Sequence, residues 1–154
     1  MYCADFSKYE NSDSNVYNVG WLDELHPFTR SEVTLSFLDK LIAILDREEV
    51  NLSRGVHTCP FCPKERGWIF EENSKHALLG HSEIWIPNAS HEKVFAAPSL
   101  IIHYIKEHEY LPPKEFISAV EAFNLNDEWS GQKRYFALMD EIYGPQDWDS
   151  ILQL

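Results

Sequence analysis

The stretch Arg54-Gly55-Val56-His57-Thr58-Cys59-Pro60-Phe61-Cys62-Pro63 sets two cysteines at C-x-x-C spacing among prolines and a glycine. A tight turn there points two thiolates at one place. Further along, His103-Tyr104-Ile105-Lys106-Glu107-His108 supplies an H-x4-H pair. Cys59, Cys62, His103 and His108 together read as a Cys2His2 donor set of the kind that holds a structural zinc ion. Zinc draws its four ligands into a tetrahedron, and near neighbours in sequence reach two of the corners only through a bend, which C-x-x-C provides. The two histidines are about 140° apart around an ideal helix, so their helix must distort or end at His108. The break at Tyr110-Leu111-Pro112-Pro113 allows that ending.

Other donors compete for the same ion. His57 stands two residues before Cys59 in an H-x-C arrangement, and His81, in a loop before a strand, is placed to replace either helical histidine. His76 and His91 are further candidates, while Cys3 stands alone near the N-terminus and is expected to be inert. A thioredoxin-like redox pair fits less well. The cysteines do not open a helix after a strand, and Pro63 and Lys64 follow them.

Outward from this cluster, the chain reads as an α+β domain: a small antiparallel sheet and about four helices around one structural zinc. Val16–Leu22 alternates like a strand, and residues 1–15 read as an arm laid over the domain. Thr29 and Glu32 fit a capping box ahead of a helix over Ser31–Arg47, whose Val33, Phe37, Leu38, Leu41, Ile42, Ile44 and Leu45 recur at helical spacing. Gly67–Glu71, Ser82–Pro87 and Val94–Ala97 are the remaining strands, with Lys75–Gly80 either loop or strand. Pro98 opens a largely buried helix over Ser99–His108, and Pro113 opens another over Lys114–Phe123. A last helix spans Gly131–Tyr143 and stops at Gly144-Pro145, and the half-apolar tail Trp148–Leu154 is expected to dock on the body. The expected organisation is a single domain over 1–154, with a core of 16–123 and a C-terminal helical extension of 124–154.

Composition narrows the function classes. With 154 residues, 44% hydrophobic and 14% aromatic, the chain has enough apolar surface for its own core. No apolar run approaches the roughly 18 residues that span a bilayer, and the N-terminus lacks a basic start and an apolar stretch. Those features point to the cytoplasm and to no membrane partner, and reduced thiols there favour metal binding over disulfides. The net charge of −12, from 25 acidic and 13 basic residues, makes nucleic acid an unlikely partner. The basic candidates Arg47, Arg54, Lys64 and Arg66 are interleaved with Glu48, Glu49 and Glu65.

Beyond the metal set, several motifs stand out: Tyr2-Cys3-Ala4-Asp5, Asn18-Val19-Gly20-Trp21-Leu22-Asp23, Arg54-Gly55-x-His57-x-Cys59-x-x-Cys62 and Glu83-Ile84-x-Ile86. They continue as Ala97-Pro98-x-Leu100-Ile101-x-His103-Tyr104-x-x-x-His108-x-Tyr110-x-Pro112-Pro113-x-Glu115-Phe116-Ile117-x-Ala119-Val120. On these residues the chain resembles a family of small uncharacterised bacterial proteins over roughly 1–122. The resemblance implies a bacterial cytoplasmic origin and a unitary fold, and carries no activity with it.

Three functions are compatible with the residues. A filled Cys2His2 shell leaves no position for water or substrate, which favours a non-enzymatic, zinc-stabilised module for an as yet unknown protein partner. An acidic immunity or antitoxin-like protein facing a basic toxin is one version of it. A zinc-dependent hydrolase would instead use Cys59, Cys62 and His103 with Glu107 or Glu109 as general base, although the run is not H-E-x-x-H. A nucleic-acid-binding finger is disfavoured, because the gap between the ligand pairs far exceeds the roughly twelve residues of a DNA-reading finger.

Overall fold

The computed structural model describes residues 1–152. Gln153 and Leu154 lie outside the described residues, and with them the end of the tail expected to dock. β1 (Val16–Asn18) is shorter than the expected Val16–Leu22. Gly20, at φ 78, turns the backbone away, and Trp21 makes an isolated bridge with Cys3 instead. The N-terminal arm folds back at Lys8, which bridges Tyr17, and buries Tyr9.

α1 (Leu35–Arg47) begins later than the expected Ser31. Thr29, Arg30 and Ser31 are spent on pairing with residues 109–111: the Leu111 amide donates to the Thr29 carbonyl and the Ser31 amide to that of Glu109. The cap is therefore Thr34, whose hydroxyl accepts from the Phe37 amide at 3.2 Å, and the Thr29/Glu32 box does not form. The expected apolar stripe holds, with Phe37, Leu38, Leu41, Ile42, Ile44 and Leu45 buried.

β2 (Ile69–Phe70) and β3 (Leu78–Leu79) form a separate two-stranded antiparallel ribbon with Ile69 opposite Leu79, so the ambiguous Lys75–Gly80 stretch contains a strand. β4 (Glu83–Pro87) and β5 (Val94–Pro98) pair antiparallel, and every residue of both is buried. Pro98 therefore closes a strand, opposite Glu83, rather than opening the next helix. β1 lies parallel to β5, with Val16 opposite Val94 and Asn18 opposite Ala96, in the order β1-β5-β4. The sheet is mixed rather than purely antiparallel. β1 and β5 are joined through α1 and the whole cysteine segment, and a long crossover permits the parallel direction that a tight hairpin forbids.

α2 (Ile101–His108) is buried along Ile101–Ile105 and stops where Glu109 takes a left-handed conformation at φ 57, its amide returning to the Tyr104 carbonyl. α3 (Lys114–Ala122) starts behind Pro113 as expected. α4 (Gly131–Tyr143) is capped by Ser130, and Glu48 accepts from the Ser130 hydroxyl and the Gly131 amide. A Cβ on Gly131 would stand 2.8 Å from both the Trp85 Cβ and a Val50 methyl, so only glycine lets this helix start so close to β4. α5 (Trp148–Leu152) raises the number of α-helices among the described residues to five; Trp148 stacks on Phe136 with ring centroids 4.5 Å apart.

The sheet separates two apolar clusters. Ile84, Ile86, Phe95 and Ala97 face α1, α2 and α3, whereas Trp85, Val94, Ala96 and Val16 face Tyr9 and the Leu138 and Met139 side chains of α4. Fully burying each such side chain is worth about 1.5–3 kcal/mol. No helix among the described residues is long and apolar enough to cross a membrane.

Candidate metal centre

The cysteine turn is held at three points. The His57 amide donates to the Gly80 carbonyl at 2.8 Å, the Phe61 amide lies 3.4 Å from the Cys59 sulfur, and the Phe61 ring packs on Tyr104 and His108. His103 and His108 come from α2. The helix ends at His108, as the five-residue spacing demands, and the rings of His103 and His108 meet with centroids 5.1 Å apart.

These elements position Cys59, Cys62, His103 and His108 to bind a metal ion: one donor atom from each lies within 4.8 Å of the others. Cys59 Sγ is 3.4 Å from His108 Nε2, and Cys62 Sγ is 3.3 Å from His103 Nε2 and 3.5 Å from His108 Nε2. A tetrahedral ion with metal–sulfur bonds near 2.3 Å and metal–nitrogen bonds near 2.0–2.1 Å separates sulfur from nitrogen by about 3.5 Å. The three sulfur–nitrogen edges have that length. Both imidazoles turn Nε2 inward, and the inner atoms match the donor chemistry of such an ion.

Electrostatics around the cluster are asymmetric. Burial lowers His103 to about 4, which keeps its imidazole neutral and available as a ligand. Burial also lowers His108. The Cys59 thiol is pushed up to about 11, chiefly by burial, so it is deprotonated only when a cation compensates it. Cys62 is less buried, and Arg66 Nη1 donates toward its sulfur at 3.4 Å. Arg66 in turn grips Glu107 with both guanidinium nitrogens, the second at 2.8 Å. Glu107 lies 3.8 Å from His103 Nδ1, and its hydrogen bond from Arg66 is the main cause of its lowered pKa.

The competing donors lie elsewhere. His57 is exposed and its anchor is a backbone one, and neither it nor His81, whose buried Nδ1 has no hydrogen-bond partner, joins the four clustered donors. The basic residues near the cysteines are largely committed. Arg47 donates to the Leu125, Asp127 and Trp129 carbonyls, and Arg66 is held by Glu107. Sequence reasoning had Arg66 as part of a basic patch and Glu107 as a possible base, and missed that they form one pair over Cys62. An arginine four residues after the second cysteine was the available signal.

Compared with known proteins, the chain matches over residues 1–121 a family model described as Domain of unknown function (DUF7919). No curated protein and no solved structure matches it.

Proposed function

The chain belongs to this family of unknown function, and we propose that it is a non-enzymatic interaction module fastened by one structural zinc on Cys59, Cys62, His103 and His108. The observation that carries this reading is the convergence of two sulfurs and two imidazoles, drawn from a turn and a helix end, within 4.8 Å of one another, with three sulfur–nitrogen distances of 3.3–3.5 Å. Four protein donors fill a zinc shell, and a filled shell contributes folding free energy instead of a reactive water. A tetrahedral set of two thiolates and two imidazoles is a geometry typical of zinc. The hydrolase alternative needs one ligand to leave and Glu107 to act as base, and Glu107 is tied to Arg66 by a two-point hydrogen-bonded pair. On this reading the described part of the 124–154 extension folds with the core 16–123 as one unit, because α4 covers the outer face of the sheet. The acidic surface suits a basic protein partner in the cytoplasm.

Elemental analysis of the purified protein tests this directly. One zinc per chain, lost together with Cys59→Ser, is the expected result. A protein free of metal, or one binding it equally well as Cys59→Ser, overturns the reading.

A further inference from the structure

The metal reading leaves unused several of the motif segments singled out in the sequence. Tyr2-Cys3, Asn18, Trp21-Leu22-Asp23, His57 and Glu83 all line one cleft of about 710 Å³. It opens at the end of the sheet where β1 and β5 finish and β4 begins, and Thr58, Pro60 and Tyr104 form the wall it shares with the metal centre. Its volume lies in the range of small-ligand sites.

The lining is unbalanced in charge. Glu10, Asp23, Glu24 and Glu83 contribute carboxylates, of which Asp23 is already paired with His26 at 2.8 Å. Against them stand the Met1 terminus on the lining and the ammonium of Lys8, which is committed to the Ser14 carbonyl at 2.6 Å and the Tyr17 hydroxyl at 3.1 Å. Glu83 is the deepest of the four at 6% exposure. It accepts from the Tyr9 hydroxyl at 3.1 Å, the Asn51 amide at 2.6 Å and the Trp85 indole at 3.0 Å. All three donors are neutral, and no cation pairs with Glu83 among the described residues. A buried carboxylate without a counter-charge is costly, and burial raises its pKa accordingly.

A second observation is independent of charge. Ser82, also 6% exposed, lines the same cleft with a buried hydroxyl that has no hydrogen-bond partner, and the Nδ1 of its neighbour His81 is likewise unpartnered. Native interiors satisfy almost all such atoms, so two adjacent ones in residues that line a cavity point to a ligand that completes the bonding once these side chains turn toward it. Tyr9 and Trp21 add aromatic side chains to the lining.

We propose that this cleft binds an organic cation, an ammonium or guanidinium group, with Glu83 as its counter-charge and Ser82 and His81 as further polar contacts. The cation is either that of a free small amine or that of an arginine side chain presented by a polypeptide.

The test uses the full-length protein as purified, labelled with ¹⁵N, titrated with agmatine while the indole resonances of Trp21 and Trp85 are followed. Saturable shifts are expected with agmatine and none with N-butylurea, its uncharged analogue. Glu83→Gln should weaken binding at least about tenfold, the effect of removing a hydrogen bond to a charged group. Should Glu83→Gln fail to fold by circular dichroism, the rim double variant Glu10→Gln with Asp23→Asn decides, and is expected to weaken binding in the same direction. N-acetyl-arginine methylamide distinguishes the sources: tighter binding than agmatine indicates a polypeptide arginine, and exclusion of this blocked residue indicates a free amine. Absence of saturable shifts up to about 10 mM agmatine, well beyond weak millimolar affinity, overturns the proposal. So do equal shifts with N-butylurea, or unchanged affinity in the folded variants.

Discussion

Residues 51–81 and the β4–β5 pair adjoin the same helix, α2, yet different forces hold them. The strand pair is apolar, buried at every position and hydrogen-bonded along its length. The segment 51–81 has two-residue strands, one 3-10 turn at Lys64–Arg66 and exposed Leu52, Trp68 and Phe70 at 57–60%. Its buried apolar anchors are few, among them Cys59, Ile69 and Leu79. The strand pair carries its own hydrophobic free energy, while the segment depends on polar ties: the Cys/His cluster, the His57–Gly80 backbone bond, Arg66 to Glu107 and Lys106 to Glu71. The difference teaches that the cluster able to hold a metal lies where the chain has too little apolar surface to hold itself.

The largest effect should come from breaking the apolar side. Phe95, 1% exposed and in edge contact with Phe116, is the second residue of β5. Phe95→Ala should cost about 3–5 kcal/mol in urea unfolding and lower both regions together. Removing the metal should act on one region. At free zinc about 100 to 1,000 times Kd, chelation should cost about 3–4 kcal/mol. Hydrogen exchange should then accelerate over 54–66 and the end of α2 before it changes in β4 and β5. Cys59→Ser should behave as the chelated parent and respond no further to chelator.

Gly80 probes the polar ties without touching a ligand. Its φ is +100, and a Cβ there would lie 2.2 Å from the His57 carbonyl oxygen. Gly80→Ala should cost about 2 kcal/mol from the left-handed conformation and the forced contact, and should loosen metal binding by shifting the cysteine turn. Thr34→Ala should cost about 1 kcal/mol by uncapping α1, which underlies both regions, so exchange should rise equally in the two.

The smallest expected signal is a slope with pH. Glu83 is held above its ordinary 4.5 chiefly by burial, opposed by its bonds from Asn51, Trp85 and Tyr9 and reinforced by Glu10; Tyr135 faces the same carboxyl. A raised carboxyl binds its proton more tightly folded than unfolded. Its contribution is therefore best below pH 4.5 and declines as pH rises through the folded value. Urea titrations at saturating zinc should show this decline, and Glu83→Gln should flatten it. On the proposed zinc reading the Cys/His region should have the opposite sign, since acid would protonate the ligands and release the ion.

Much of this was legible beforehand. The apolar stripe of α1, the proline before α3 and the Gly131–Tyr143 helix follow from local periodicity and breakers, and the structure places them as expected. The start of α1 was misread because Thr29–Ser31 are taken by strand-like pairing with residues 109–111, a partner distant in sequence. The sheet direction was misread for the same kind of reason. At the metal centre the four donors were legible from residue type and spacing, and the Arg66–Glu107 pair over Cys62 was not.

By itself the sequence determined the donor chemistry, the bend between the cysteines, and the need for α2 to stop at His108. These are local, because ligand type and helical angle are properties of neighbouring residues. Tertiary structure alone decided that β1 runs parallel to β5, that Arg66 reaches Cys62, and that Tyr9, Asn51 and Trp85 converge on Glu83. Each of these depends on where a remote part of the chain returns, and that is set by how the whole apolar surface is buried rather than by any local pattern.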